Sequence, residues 1–526
     1  VGISHSEALL HNELIKYNQL PPETGFNMPD SDREHMSFVD HAWLRMDRPY
    51  NHMTICAVMI LADRIDLERL QKHIATRWVL PYKRLQQRPV YHPTGAYWET
   101  DTHFEIANHV RRVGLPGAQG KEELEEFISN LVSTPMDPTK PLWDVHLVED
   151  YRGGSAVIWR FHHCIADGIA LIHVMLSATA KAPGVAANTT RPPARKAAHE
   201  DEEEPRGNIF RQLFDPVSEA VSNAVKTGRD LVEEGVDIVL HPSETVGYAR
   251  QGIGLVSSVV KQGLGFTSEA ARLLLLADDP QTRFRGKLGV AKRVAWAEPL
   301  PLDEVKTIGK ALGCTVNDVL LSSVAGALRT YLVEKGDPLD PKLEIRAAVP
   351  VNLRSWEQAR NLGNAFGLVL LPLPIGLENP LERLYEVHKR MGELKGSYQA
   401  ILTFGLLEIL GLGPKVAQAS AIRVLSKKAT ATMTNVPGPQ KPVYLEGCKI
   451  AELMFWVPQS GSVGIGVSIQ SYNNRVHFGL MTDQKLVKDP EAIVSQFSRE
   501  FEKLVLLTLM GGWEKRLDAK AIATAE

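Results

Sequence analysis

At 526 residues, with 44% hydrophobic and 23% charged side chains, the chain has room for two or three domains and can bury a large core without metal or disulfide support. Its formal net charge of −3 argues against a nucleic-acid binder that works through phosphate contacts. The four cysteines, Cys56, Cys164, Cys314 and Cys448, are far apart and form no CxxC pair; this speaks against a disulfide framework or structural zinc site and fits a reducing cytoplasm.

The N-terminus lacks a basic start followed by an apolar core, so it does not read as a secretory signal. Residues 53–61 are expected as a strand and 67–79 as a helix. Residues 103–113 alternate like a strand, 121–133 like an amphipathic helix, and 142–150 and 155–163 like two further strands. A helix follows from about Gly168. These elements fill a first section, residues 1–182. The second section, 183–285, opens with a Pro- and Ala-rich stretch ending in an acidic run, which reads as a solvated linker. After it, Ile209, Phe210, Leu213, Phe214, Val217, Val221 and Val225 recur at helical spacing and form one apolar stripe, suited to docking on the body of the protein or to touching lipid.

The third section, 286–526, mixes helices (302–312, 315–335, most of 380–426, 488–509) with strands (345–353, 366–374, 429–436, 452–458, 463–472, 475–483). Thr315 is expected to cap the helix after it, with Asp318 at the third helical position. No stretch reaches the ~20 apolar residues of a spanning helix. The best, Phe366 to Gly376, is short and broken by prolines, so any membrane association would be peripheral.

The strongest chemical signal is His162-His163-Cys164-Ile165-Ala166-Asp167-Gly168. The strand before it places Val157, Trp159 and Phe161 on one face and Ile158 and Arg160 on the other, so His162 and His163 point in opposite directions. One is then a reactive base and the other structural. Histidine suits a general base because its pKa lies near neutrality. Metal ligation is disfavoured by the adjacent spacing, a Cys164 nucleophile by the opposed directions of neighbours in a strand, and a plain core role remains open.

HHCIADG resembles the HHxxxDG signature shared by coenzyme-A-dependent acyltransferases and peptide-synthetase condensation domains. Pro141-Leu142-Trp143, Asn317-Asp318, Pro350-Val351-Asn352-Leu353-Arg354, Gly363-Asn364 and Asn435-Val436-Pro437-Gly438-Pro439, in this order, narrow it to the bacterial wax ester synthase/diacylglycerol acyltransferase family, from Phe38-Val39-Asp40 to the last helix. The resemblance implies an α/β fold of two chloramphenicol-acetyltransferase-like lobes joined by a helical linker, with the active site in a tunnel between them. It implies transfer of a long-chain acyl group from acyl-CoA to a fatty alcohol or diacylglycerol, with no cofactor, no metal and no acyl-enzyme. His163 would be the base, Asp167 would hold the loop through an arginine, and Gly168 would leave room for the coenzyme arm. His162 and Asn317 join the catalytic set, and Asn352, Arg354 and Asn435 face substrate or coenzyme. Asn317 could donate to an oxyanion or simply belong to the helix cap. The protein would sit in the cytoplasm at the inner membrane or on lipid inclusions. A condensation enzyme fed by a carrier protein and a catalytically idle lipid-binding protein are the alternatives.

Overall fold

The computed structural model describes residues 33–92, 95–182, 276–353, 362–394, 399–412 and 415–510. The expected charged linker, the apolar stripe of 209–225 and Arg354 lie outside the described residues.

Two mixed sheets organise the molecule. The strands that build them are β1 (Thr54–Leu61), β2 (Val110–Arg112), β3 (Trp143–Tyr151), β4 (Gly154–His162), β5 (Lys292–Trp296), β6 (Ile345–Asn352), β7 (Phe366–Leu373), β8 (Ala431–Pro437), β9 (Tyr444–Leu445), β10 (Cys448–Trp456), β11 (Ile465–Tyr472) and β12 (Arg475–Asp483). The first sheet runs β9-β10-β1-β4-β3-β2; the second runs β7-β6-β8-β11-β12-β5, with the short strand Leu300–Pro301 also pairing β12. The hairpin β9–β10 therefore leaves the C-terminal section and completes the sheet of the N-terminal one, with Trp456 opposite Cys56 and Leu453 opposite Met59.

Turn chemistry fixes two hairpins. Arg152 and Gly153, both with positive φ, join β3 to β4 in a two-residue turn, and Asn473 and Asn474 do the same between β11 and β12. Alternation along β4 sends Val157, Trp159 and Phe161 into the N-terminal core, while Ala156 and Ile158 pack on the opposite face against Trp296, Met454 and Trp456.

The edge strand β5 is covered by the helix Lys121–Val132 and the residue after it. The N–H groups of Lys292, Val294 and Trp296 donate to Ser133 Oγ (2.8 Å), Ser129 Oγ (3.0 Å) and Glu125 Oε1 (3.2 Å). Residues four apart on a helix advance about 6 Å and residues two apart on a strand about 6.6 Å, so the two ladders match. This ties the lobes together and caps an edge that would otherwise be open to pairing.

One expected strand is corrected. Within 103–113 only Val110–Arg112 is extended, and Ile106–His109 is a helical turn. Asp101 Oδ1 accepts from the His103 N–H (2.9 Å) and starts the bend. His109 then stacks between Phe104 (4.9 Å) and Trp143 (4.5 Å), and Phe104 and Ile106 pack half-buried against the N-terminal core without a longer strand.

Candidate active site

Between the two sheets lies a cavity of roughly 1650 Å³, counting its solvent-open mouth. Its walls come from helix α1 (Phe38–Met46), the loop after β4, strands β6 to β8, and helices α2 (Gln399–Leu412) and α3 (Lys415–Leu425). Leu368, Leu370, Leu406, Leu407 and Leu410 make it strongly apolar. Close backbone approach sets α2 in place. A Cβ on Gly367 would fall 1.6 Å from the Ala400 carbonyl oxygen, and one on Gly411 would fall 1.8 Å from that of Phe38.

His163 stands on this cavity wall, 8% exposed. Its ring stacks on Trp43 at 4.0 Å between centroids and lies 5.5 Å from Phe366. Nδ1 is 2.9 Å from Asn364 Oδ1. The Asn364 Nδ2 donates to Asp40 Oδ1 (2.8 Å) and to the His163 carbonyl (2.7 Å), and the Asn364 N–H also donates to Asp40 Oδ1 (3.1 Å). Two acceptors facing Nδ2 fix the amide, so its oxygen must face His163, and His163 Nδ1 must carry the proton. Nε2 is left with its lone pair. Burial pushes the ring down to about 4, against an opposing pull from Asp167, so the imidazole is neutral at physiological pH.

His162 turns the other way, as the strand period requires. Its Nδ1 accepts from the Cys164 N–H (3.1 Å), so the Nε2 proton points at Asp47 Oδ2 (3.2 Å). Burial raises the Asp47 carboxyl, but the bonds and charges of His162 and His52 together outweigh it and hold it at about 2. His162 is thereby an anchor for the loop.

Asp167 caps helix α4 (Gly168–Ser177), accepting from the Ala170 N–H (2.9 Å). Its other oxygen accepts from the Ala365 N–H (3.1 Å), and its own N–H donates to the Gly363 carbonyl (3.1 Å). It thus stitches the histidine loop to the segment that carries Asn364. Gly168 opens onto the cavity, with nothing within 4 Å of where a Cβ would sit.

Asn352 and Asn435 line the cavity. Asn317 does not; it is exposed, and its Oδ1 accepts from Asn435 Nδ2 (2.5 Å). The helix Val316–Glu334 is capped by Thr315 with Asp318 returning the bond, as expected from sequence. Cys164 is fully buried, and burial pushes its thiol well above the usual range, which leaves it inert as a nucleophile. Neither active-loop histidine belongs to a metal-like cluster; among the described residues the only such group is Cys314, Asp318 and His388. There Asp318 is already engaged by the helix cap and by His388 Nδ1 (2.7 Å).

Asn364, Asp40 and Trp43 are the site residues that sequence reasoning left unassigned. Asp40 and Asn364 were marked by the Phe38-Val39-Asp40 and Gly363-Asn364 segments, but nothing in a single sequence says that they meet. Burial pushes the Asp40 carboxyl up, while Asn364, Ser37 and Arg84 pull it back.

Two α/β lobes with a histidine-bearing loop at their junction, over an apolar cavity, form a chloramphenicol-acetyltransferase-like fold. Residues 36–320 match the wax ester synthase/diacylglycerol acyltransferase catalytic domain and residues 362–505 match the WS/DGAT C-terminal domain, so the chain belongs to that family. It is 25% identical over 486 residues to the Mycobacterium tuberculosis protein named "Probable diacyglycerol O-acyltransferase tgs1", covering 90% of this chain and 96% of that one. Among solved structures it is similar to the wax ester synthase/diacylglycerol acyltransferase of Marinobacter aquaeolei VT8 (TM-score 0.64, 20% identity, 91% of this chain and 100% of that one). It also shares the fold of the first condensation domain of the calcium-dependent antibiotic synthetase (TM-score 0.53, 14% identity, 91% and 97% covered).

Proposed function

We propose that this acyltransferase moves a long-chain acyl group from acyl-CoA to the hydroxyl of a fatty alcohol or of a diacylglycerol, with His163 as general base. The observation that carries this reading is the fixed tautomer. Asn364 holds the Nδ1 proton, so Nε2 offers a lone pair beside an apolar cavity.

In this reading the alcohol oxygen attacks the thioester carbonyl carbon while its proton passes to Nε2. The tetrahedral intermediate carries an oxyanion. Its collapse breaks the C–S bond, and the proton on Nε2 goes to the leaving thiolate, giving ester and free CoA. A thioester has a good leaving group, so no covalent enzyme intermediate is required. A ring held at about 4 is a weak base in the empty cavity. The imidazolium forms only as the oxyanion forms, and their attraction in a dry site offsets the burial that disfavours the charge.

The cavity walls are mostly apolar, as hydrocarbon substrates require. Both acceptors partition into lipid, so the reaction takes place at a membrane or inclusion surface. Among the described residues no single helix is long and apolar enough to cross a membrane. The test is incubation of the purified protein with palmitoyl-CoA and either hexadecanol or dipalmitoylglycerol, with the product identified by chromatography. Wax ester, triacylglycerol or both are expected. Release of free fatty acid alone would overturn the assignment.

A further inference from the structure

Helix α1 brings two side chains to the base. Ser37 Oγ caps it, accepting from the Asp40 N–H (3.1 Å). Asp40 and Trp43 stand one helical turn apart and share a face. That turn sends a carboxylate to Asn364 and an indole to the His163 ring. Helices α3 and α2 clamp α1 in place: Gln418 Nε2 donates to the Ala42 carbonyl (2.8 Å), and Gly411 lies close against the Phe38 backbone.

The contact between Trp43 and His163 is face to face. The centroids are 4.0 Å apart and the planes differ by 12°, so the base meets the π face of the indole and not its rim. That face carries the negative lobe of the ring quadrupole, and indole holds a cation better than the other aromatic side chains. Both rings are buried, so water screens the pair weakly. Phe366 meets the same imidazole farther off, at 5.5 Å and tilted by 40°.

Among the described residues no carboxylate bonds the His163 ring. Nδ1 faces the neutral amide oxygen of Asn364, and Asp40 reaches the ring only through that amide. Asp167 pulls from a distance, with its oxygens accepting from the Ala170 and Ala365 amides, and His162 opposes the charge. The imidazolium that the reaction needs therefore forms against burial with little direct help from an anion. A desolvated cation over an indole face gains enough to change a rate about 30-fold, whereas the neutral ring gains little. The benefit thus appears as the proton arrives, which is where it accelerates the reaction.

We propose that the π face of Trp43 stabilises the His163 imidazolium as the acceptor hydroxyl attacks, so that Trp43 sets the rate of the chemical step through the base. This rests on His163 being that base. The test replaces Trp43 alone, in the full chain, by tryptophans carrying one, two or three ring fluorines, which withdraw charge from the face and barely change its size. The single-turnover rate of ester formation from palmitoyl-CoA and hexadecanol, KM and the unfolding midpoint are measured for each. The rate is expected to fall stepwise with each fluorine, about tenfold across the series, with KM and the midpoint unchanged. Trp43→Phe, with a weaker face, should keep more of the rate than Trp43→Leu, which has none. A rate that stays level across the fluorine series would overturn the proposal, whatever the leucine variant does, and leave Trp43 as a wall of the cavity. Failure of the base assignment shows separately, as undiminished ester formation by a folded His163→Ala.

Discussion

Acidification distinguishes a buried His163 base from an exposed one. Its ring is enclosed by Trp43 and Phe366, and burial holds it at about 4. A histidine base works only when neutral, so kcat/KM follows the neutral fraction of the free enzyme. At pH 5.5 an ordinary histidine with pKa near 6.5 would be about 9% neutral, whereas one at about 4 is about 97% neutral, a tenfold difference in expected rate. The assay is thiol release from palmitoyl-CoA with hexadecanol between pH 4.5 and 8, with tryptophan fluorescence followed in parallel to detect unfolding. Burying His163 neutral costs stability as pH falls from about 6.5 to about 4, because the unfolded chain takes up the proton first, and the fluorescence control marks where the fold gives way. Asp47 is depressed to about 2, so the stability it contributes is present above the usual carboxylate pKa and is lost only as pH falls through about 2. The account predicts kcat/KM that is flat from neutrality to about pH 5 and falls below it. A half-fall near pH 6.5 with intact fluorescence would refute it.

Further outcomes follow from the same contacts. Asn364→Ala removes the acceptor that fixes the His163 tautomer and the Nδ2 donor shared by buried Asp40 and the His163 carbonyl, while the backbone N–H to Asp40 stays. kcat should drop about 10- to 100-fold and stability by about 2–4 kcal/mol, read by steady-state kinetics and urea melts. Gly168→Ala has no backbone strain to overcome and sends a methyl into open cavity, so KM for the acyl donor should rise several-fold while the melting temperature stays put. Cys164→Ala should keep most activity and lose about 1–2 kcal/mol of stability, and a stable acyl adduct trapped on Cys164 would contradict the direct-transfer mechanism. Glu125 is pushed up to about 7 by burial, so its stability contribution is complete below the ordinary glutamate pKa and is lost as pH rises through 7. Glu125→Gln keeps an acceptor for the Trp296 N–H and should stabilise the protein by about 2 kcal/mol at pH 8 while changing little at pH 4; thermal melts at the two pH values check it.

Features governed by local chemistry were readable in the sequence. The capping box of Thr315 and Asp318 depends on residues three apart, and the opposed directions of His162 and His163 depend on the period of one strand. The Asp40–Asn364–His163 relay was not readable, because Asp40 and Asn364 lie 324 residues apart and meet only when the lobes close. The crossing of β9–β10 into the N-terminal sheet is likewise a matter of topology, since the strand pattern of residues 452–458 suits either sheet. Residues 103–113 misled because the alternation of Phe104 and Ile106 is equally well served by a turn that leaves both half-buried against the core and stacks His109 on Trp143. Strand β5 gives little periodic signal, and its amides are satisfied by side chains of a helix about 165 residues earlier in the chain.

The most direct test of the central claim is thiol release from palmitoyl-CoA in the presence of hexadecanol by wild type and His163→Ala side by side, at neutral pH and with matched unfolding midpoints. The account predicts ester formation by the wild type and a loss of about 10²–10⁴-fold in the variant. Undiminished ester formation by a folded His163→Ala would show that the base lies elsewhere.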